Sequence, residues 1–318
     1  MFKMSCHITV GKYYFDYVAD INISSSIETL TDTAVITIPR KLSLDGKYIA
    51  TGDDRIFNIG DPVEINLGYD NNLKTVFKGY LKDISATVPV TLFCEDNMYL
   101  LKKTKIQRSY SQITLNQLLQ DILPSGIHYK AVDVSLGKFR INNASVAKVL
   151  QEIKTTYGLL SYFKNDVLYS GLAYWTDDRK EASFAFQRNI IQNRLQYKRK
   201  DDVRIKIKAI SILPDNSRIE AELGDDDGDL RTFHYYNLDK KALEHIVAEE
   251  IEKLKYTGYY GSFTTFGEPM MQIGDIAHIV DNQYPERQGK FLIKQVIRQF
   301  GVKTGYRQRI LLDKAVVA

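Results

Sequence analysis

"IGDPVEINLGYDNNLKTVFKGYL" runs from Ile59 to Leu81, and "IGDIAHIVDNQYPERQGKFLIKQV" runs from Ile273 to Val296. Each opens on Ile-Gly-Asp and continues as an alternating run, a polar turn and a second run. Glycine permits a tight turn, and an aspartate after it can accept hydrogen bonds from nearby backbone amides where a strand starts. Gly60, Asp61, Gly274 and Asp275 are therefore candidate marker turns for two similar β-domains. Gly79-Tyr80-Leu81 is matched loosely by Gly289-Lys290-Phe291-Leu292. The alternative stays open, because unrelated strands also start in this way.

The surrounding sequence supports strands. Cys6, Ile8 and Val10 alternate before a turn at Gly11, and Ile21 and Ile23 follow. Ala34, Ile36 and Ile38 alternate up to Pro39, and Val63, Ile65 and Leu67 up to the Asp70-Asn71-Asn72 turn. Period-two runs at short spacing indicate an antiparallel barrel or sandwich. After Leu101 the pattern changes. Thr114 and Gln117 form a capping box ahead of Leu115, Leu118, Leu119 and Ile122, and Val146 to Tyr157 repeats at helical spacing up to Gly158. A hairpin is expected at Asn165-Asp166. Strands resume near Ile190, with a strand stop at Pro214, a hairpin tip from Gly224 to Asp229, and a helix over about 239–256 capped by Asp239 and closed by Gly258.

The expected class is mainly β with an α+β insertion and two similar antiparallel β-barrel domains per chain. The expected boundaries are a first barrel at 1–100, the insertion at 101–185 and a second barrel at 186–318 carrying the long helix.

The 318 residues carry 43 Lys+Arg against 39 Asp+Glu, a net charge of +4 that is too small to imply a nucleic-acid surface. The 21 tyrosines and 14 phenylalanines suit half-buried strands and protein contacts. Cys6 and Cys94 are too few for a disulfide scaffold, so both read as buried thiols. No run reaches the ~18 apolar residues of a membrane helix, and the N-terminus has no signal-peptide pattern.

Candidate chemistry is sparse. Asp225 to Asp229 invites a calcium reading, but strand-like runs flank it, which favours a solvated tip. His7, His128, His234, His245 and His278 form no metal-spaced pair, and no nucleophile elbow or phosphate loop is present. The basic run from Tyr197 to Asp202 ends in two aspartates and reads as a strand end. No catalytic, cofactor or metal residue is assigned.

With "SYSQITLNQLLQDIL" and "KFRINNASVAKVLQEIKTTYGLLSYF", the two Ile-Gly-Asp stretches and the Tyr256–Leu312 region resemble the phage late control protein D family. These are tail baseplate hub proteins, similar to the N-terminal half of type VI secretion VgrG proteins. The resemblance implies a homotrimer whose six barrels ring a central channel, joining the tail tube protein to the spike protein among other baseplate proteins. It implies that DNA passes without specific binding, that no cofactor is used, and that the chain is a virion component made in the bacterial host cytoplasm without membrane insertion. The chain ends after the second set of strands, so spike and lytic activity are expected on another polypeptide. Two other readings stay open: a tail-associated cell-wall hydrolase, and a nucleic-acid- or glycan-binding β-barrel protein.

Overall fold

The computed structural model describes residues 3–316 apart from 40, 45–46, 51–55, 86–88, 177–178, 214 and 216. The expected stop at Pro214 lies outside the described residues. The chain is mainly β, with four α-helices among the described residues: α1 (Met98–Lys103), α2 (Leu115–Ile122), α3 (Val146–Tyr157) and α4 (Lys240–Leu254).

Twelve strands of one large sheet fall into two sets of six. The first set is β1 (Met4–Val10), β2 (Asp20–Ser26), β3 (Thr33–Ile38), β4 (Pro62–Tyr69), β5 (Asn72–Ser85) and β6 (Val90–Glu95). The second is β7 (Glu181–Ala185), β8 (Ile190–Lys198), β9 (Gly258–Phe266), β10 (Ile276–Val280), β11 (Gly289–Gly301) and β12 (Gly305–Ala315). The hydrogen-bonded order is β1-β4-β5-β6-β3-β2 in the first set and β7-β10-β11-β12-β9-β8 in the second. Each strand of the first set has its counterpart six strands later, in the same place. One pairing differs in direction: β1 runs antiparallel to β4, whereas β7 runs parallel to β10.

The sets are joined by β2 and β11, which pair antiparallel over seven residues. Among the described residues the end strands of each set do not pair with one another, so the hydrogen bonding closes neither set into a barrel. In the first set the edge that closure would need, on β2, is taken by β11.

Alternation fills two cores. Ile8, Ile21, Ile23, Ile36, Ile65 and Leu92 pack in the first, and Phe184, Phe263, Ala277, Ile293, Val296 and Ile310 in the second. Phe300 and Tyr306, from the second set, complete the first core. Burying whole side chains of this size contributes about 1.5–3 kcal/mol each, so the shared core binds the two sets together.

Between the sets, α2 and α3 pack with small two- and three-stranded sheets around Leu118, Leu150 and Ile153. The Thr114 capping box is formed: the Gln117 N–H donates to Thr114 Oγ1 (3.3 Å), and the Thr114 N–H donates to Gln117 Oε1 (3.1 Å). Gly158 ends α3 at φ +72°, where its hydrogen leaves room for the His234 ring.

Two expectations are corrected. The runs around Gly224–Asp229 form no hairpin with each other. The strand Ile205–Ile212 lies between them, antiparallel to Arg218–Gly224 and parallel to Asp229–Tyr236. The acidic tip passes over the start of that central strand: the Ile205 N–H donates to Asp225 Oδ2 (2.9 Å), and the Asp229 N–H to the Arg204 carbonyl (3.0 Å). The second correction concerns Gly258, which does not close the long helix. The helix ends at Leu254, with the Lys255 N–H on the Ile251 carbonyl, and Gly258 begins β9 against the Phe291 ring.

Candidate functional site

The two Ile-Gly-Asp turns have the same hydrogen bonds. Gly60 adopts φ +97° and Gly274 φ +80°, a region that a side chain would strain. The Gly60 N–H donates to the Leu81 carbonyl (2.7 Å), and the Leu81 N–H donates to the Asp61 carbonyl (2.9 Å). The Gly274 N–H donates to the Ile293 carbonyl (2.8 Å), and the Ile293 N–H to the Asp275 carbonyl (2.9 Å). Each aspartate also accepts, at 2.8 Å, from the backbone N–H three residues earlier, Asn58 in one turn and Gln272 in the other.

These bonds align Leu81 with Ile293. They do not align the glycines: Gly79 falls opposite the position of Phe291, not of Gly289. Beyond the aligned pair the likeness continues. A bulge separates Leu81 from Asp83 in β5, and one separates Ile293 from Gln295 in β11. A bulge re-aims the strand that carries it. In β11 the segment after the bulge, Gln295–Gly301, makes the whole seam with β2.

The turns differ in their surroundings. Asp61 lies beside Gly11, where a Cβ would approach its Cγ to 2.9 Å. Asp275 is fully buried and accepts from Lys164 Nζ (3.1 Å) and the Lys180 N–H (3.3 Å). Asp275 thus ties the second set to the strand Leu160–Lys164. Next to it, Ile27, Tyr162, Tyr169 and Ile273 form a small core at the same junction.

A cleft of about 260 Å³ opens where the two sets and the inserted region meet, walled by Asp32, Asp96, Lys78, Lys164, Asp166 and Arg298. The carboxylates of Asp32 and Asp96 are engaged with backbone. The Ser26 N–H donates to Asp32 Oδ1 (3.2 Å), the Asp32 N–H to Asp96 Oδ2 (3.0 Å) and the Met98 N–H to Asp96 Oδ1 (3.0 Å). Burial pushes the Asp32 carboxyl up to about 7, and burial and then the Asp32 charge raise that of Asp96. Buried Arg298 donates through Nη2 to the Met271 carbonyl, while its Nε has no hydrogen-bond partner. The cluster is built to order backbone at the junction.

The other candidates are scattered. Asp225 pairs with Arg204 and Lys255, Asp226 with Lys206, and Asp227 with Arg204. His7 contacts Asp16, and His278 contacts Ser183. Cys6 and Cys94 are buried free thiols far apart in chain order, both pushed up to about 12 by burial. The pairing of the seam strands and of Asp32 with Asp96 carried no sequence signal, because the partners lie more than 60 positions apart.

No family model and no curated protein matches the chain. Solved structures do. A tail protein from Neisseria meningitidis superposes with a TM-score of 0.67 at 15% identity, covering 98% of this chain and 96% of that one. A 43 kDa prophage tail protein from Shewanella oneidensis gives 0.63 at 17% identity, with 98% of both chains covered. The fold is that of phage tail proteins. An E. coli component of the type VI secretion system shares it at a TM-score of 0.58 and 10% identity, over 98% of this chain and 74% of that one. The tail-protein fold therefore extends over nearly the whole chain, the inserted region included.

Proposed function

We propose that the chain is a structural hub protein of a phage tail baseplate, or of a related contractile injection machine, and not an enzyme. Three copies form a pseudo-sixfold ring that joins the tail tube to the spike and leaves a channel through which DNA passes. The observation that carries this reading is the internal match: two six-stranded sets with the same strand order, turns and bulge, joined edge to edge in one chain. A contact that joins unlike edges head to tail builds a ring where its rotation closes, and an open filament where it does not; the proposed ring is the closed case. The likeness to tail proteins supports it. In this reading Gly60, Asp61, Gly274 and Asp275 mark the two quasi-equivalent units, with residues 101–185 as the decoration between them.

The hydrolase alternative would need two carboxyls free to act on a sugar. Asp32 and Asp96 are the paired acids of the junction cleft, and their oxygens already accept backbone N–H groups.

The test is electron microscopy of the chain, alone and with the tube and spike proteins of its own tail. The expected result is a ring with threefold symmetry and an open centre, seated between tube and spike. A chain that stays monomeric with both partners present would sink the proposal.

A further inference from the structure

The seam between β2 and β11 has a second, empty counterpart. At the seam, Gln295 lies opposite Ser26, Val296 opposite Ser25 and Ile297 opposite Ser24. This pairing covers β2, whose Ile21, Ile23 and Ser26 are buried. The strand in the place of β2 in the second set is β8. Among the described residues it pairs only with β9, and its residues 191–194 are all exposed, with Ile191 at 42%. The strand in the place of β11 in the first set is β5. It pairs with β4 only as far as Tyr80, and no described strand lies on that side of Asp83–Ser85. One chain therefore holds one completed seam and the two halves of another.

The register of the missing seam follows from backbone pairing alone. The turn bonds align Leu81 with Ile293, and the shared bulge aligns Asp83 with Gln295, Ile84 with Val296 and Ser85 with Ile297. On the other side, Asn22 pairs with Val35, and Arg194 pairs with Ser262. Val35 and Ser262 hold equivalent places opposite Phe93 and Leu311. Arg194 therefore stands where Asn22 stands, and Gln196, Tyr197 and Lys198 stand where Ser24, Ser25 and Ser26 stand.

We infer that the β5 edge of one copy pairs antiparallel with the β8 edge of a second copy, with Asp83 opposite Lys198, Ile84 opposite Tyr197 and Ser85 opposite Gln196. The side chains agree with a register in whose derivation they had no part. A carboxylate meets an ammonium, and among the described residues no carboxylate forms an ion pair with Lys198, which lies over the Tyr256 ring and donates to the Leu254 carbonyl. Ile84 packs at the margin of the first core and Tyr197 at the margin of the second, both half-buried, so their pairing would continue one core into the other. A slip of one residue would place Lys198 opposite Ile84 and lose both matches. The contact also covers two strand edges that have no described strand beside them, and such edges otherwise recruit wrong partners. The inference rests on the ring reading and names the strands that close it.

Asp83→Cys and Lys198→Cys are made as separate variants, mixed, oxidised mildly and run on a non-reducing gel. Directly opposed residues of an antiparallel pair lie about 4.5–5.5 Å apart, within disulfide reach. The native thiols, buried and pushed up to about 12, keep the background low. The expected result is a covalent dimer in the mixture, none from either variant alone, and much less from a slipped mixture of Asp83→Cys with Gln196→Cys. Ser85→Cys with Gln196→Cys gives the same dimer and guards against a misfolded Lys198 variant. The wild-type mass is measured in parallel. A trimer whose seam-register mixtures give no cross-link overturns the edge pairing and leaves the ring reading standing. A chain that stays monomeric with the tube and spike proteins present, and gives no cross-link there, overturns both.

Discussion

Lys164 Nζ lies 3.1 Å from Asp275 Oδ1, with the lysine side chain 10% exposed and the aspartate 1%. Removing one partner of such a pair leaves the other charged and buried, at a cost of about 3–5 kcal/mol. Lys164→Met is expected to destabilise the fold by about that much, measured as a loss in urea midpoint. Asp61→Asn, in the sister turn with no buried cation, is expected to cost only about 1 kcal/mol. Equal losses would mean that the ion pair does not distinguish the two turns.

Asp32 gives a pH dependence of unusual sign. Its folded pKa is raised to about 7, above the ordinary carboxyl value near 4. Between those values the folded chain holds a proton that the unfolded chain has released. Stability from this group is therefore full below about pH 4 and falls as pH rises towards 7, by at most about 1.4 kcal/mol per pH unit. Asp32→Asn is expected to be less sensitive to a change from pH 5 to pH 7.5 than the wild type. Parallel denaturation curves for the two proteins at both pH values would refute this.

Tyr306 is fully buried, and its hydroxyl has no hydrogen-bond partner. Its backbone carbonyl accepts from the Tyr69 hydroxyl (2.9 Å), from Arg307 Nη1 (2.9 Å) and from the Gly267 N–H (3.1 Å). Leaving a polar group unsatisfied costs about 1–3 kcal/mol, so Tyr306→Phe is expected to raise the thermal midpoint. Tyr306→Ala opens a cavity and is expected to lose about 3–5 kcal/mol. A lower midpoint for the phenylalanine variant would show that the hydroxyl is satisfied in solution.

At Gly79 an added Cβ would fall 2.1 Å from the Glu95 carbonyl oxygen. At Gly289 its nearest neighbours would be atoms of the Phe291 ring, the first at 3.0 Å. Gly79→Ala is expected to unfold much more easily than Gly289→Ala, since a ring can shift and a paired strand cannot. Circular dichroism melts of the two variants decide it.

Those glycines also show where sequence reading stops. Both look like strand glycines after an Ile-Gly-Asp turn, and pattern alone pairs them. Gly79 is small because β6 crosses close by, and Gly289 because an aromatic ring sits above it, so they are not equivalent. Local signals were legible: the alternation of Val63, Ile65 and Leu67, the Thr114–Gln117 capping box, the Asn165–Asp166 turn at φ +50° and +63°. The Gly224–Asp229 tip was misread because its acids bind the start of another strand, a partner outside any local window. The seam was invisible for the same reason, since it joins β2 to a strand roughly 270 residues later.

The seven-residue seam also sets how the chain bears load. A pull along the strands shears all seven paired positions, Ser26–Gln295 to Asp20–Gly301, at once. A pull across them opens the same pairs one after another from an end, at far lower force. The Phe300 and Tyr306 side chains, set into the opposite core, act as pegs against that unzipping. The joint is therefore stiff to sliding and weaker to peeling.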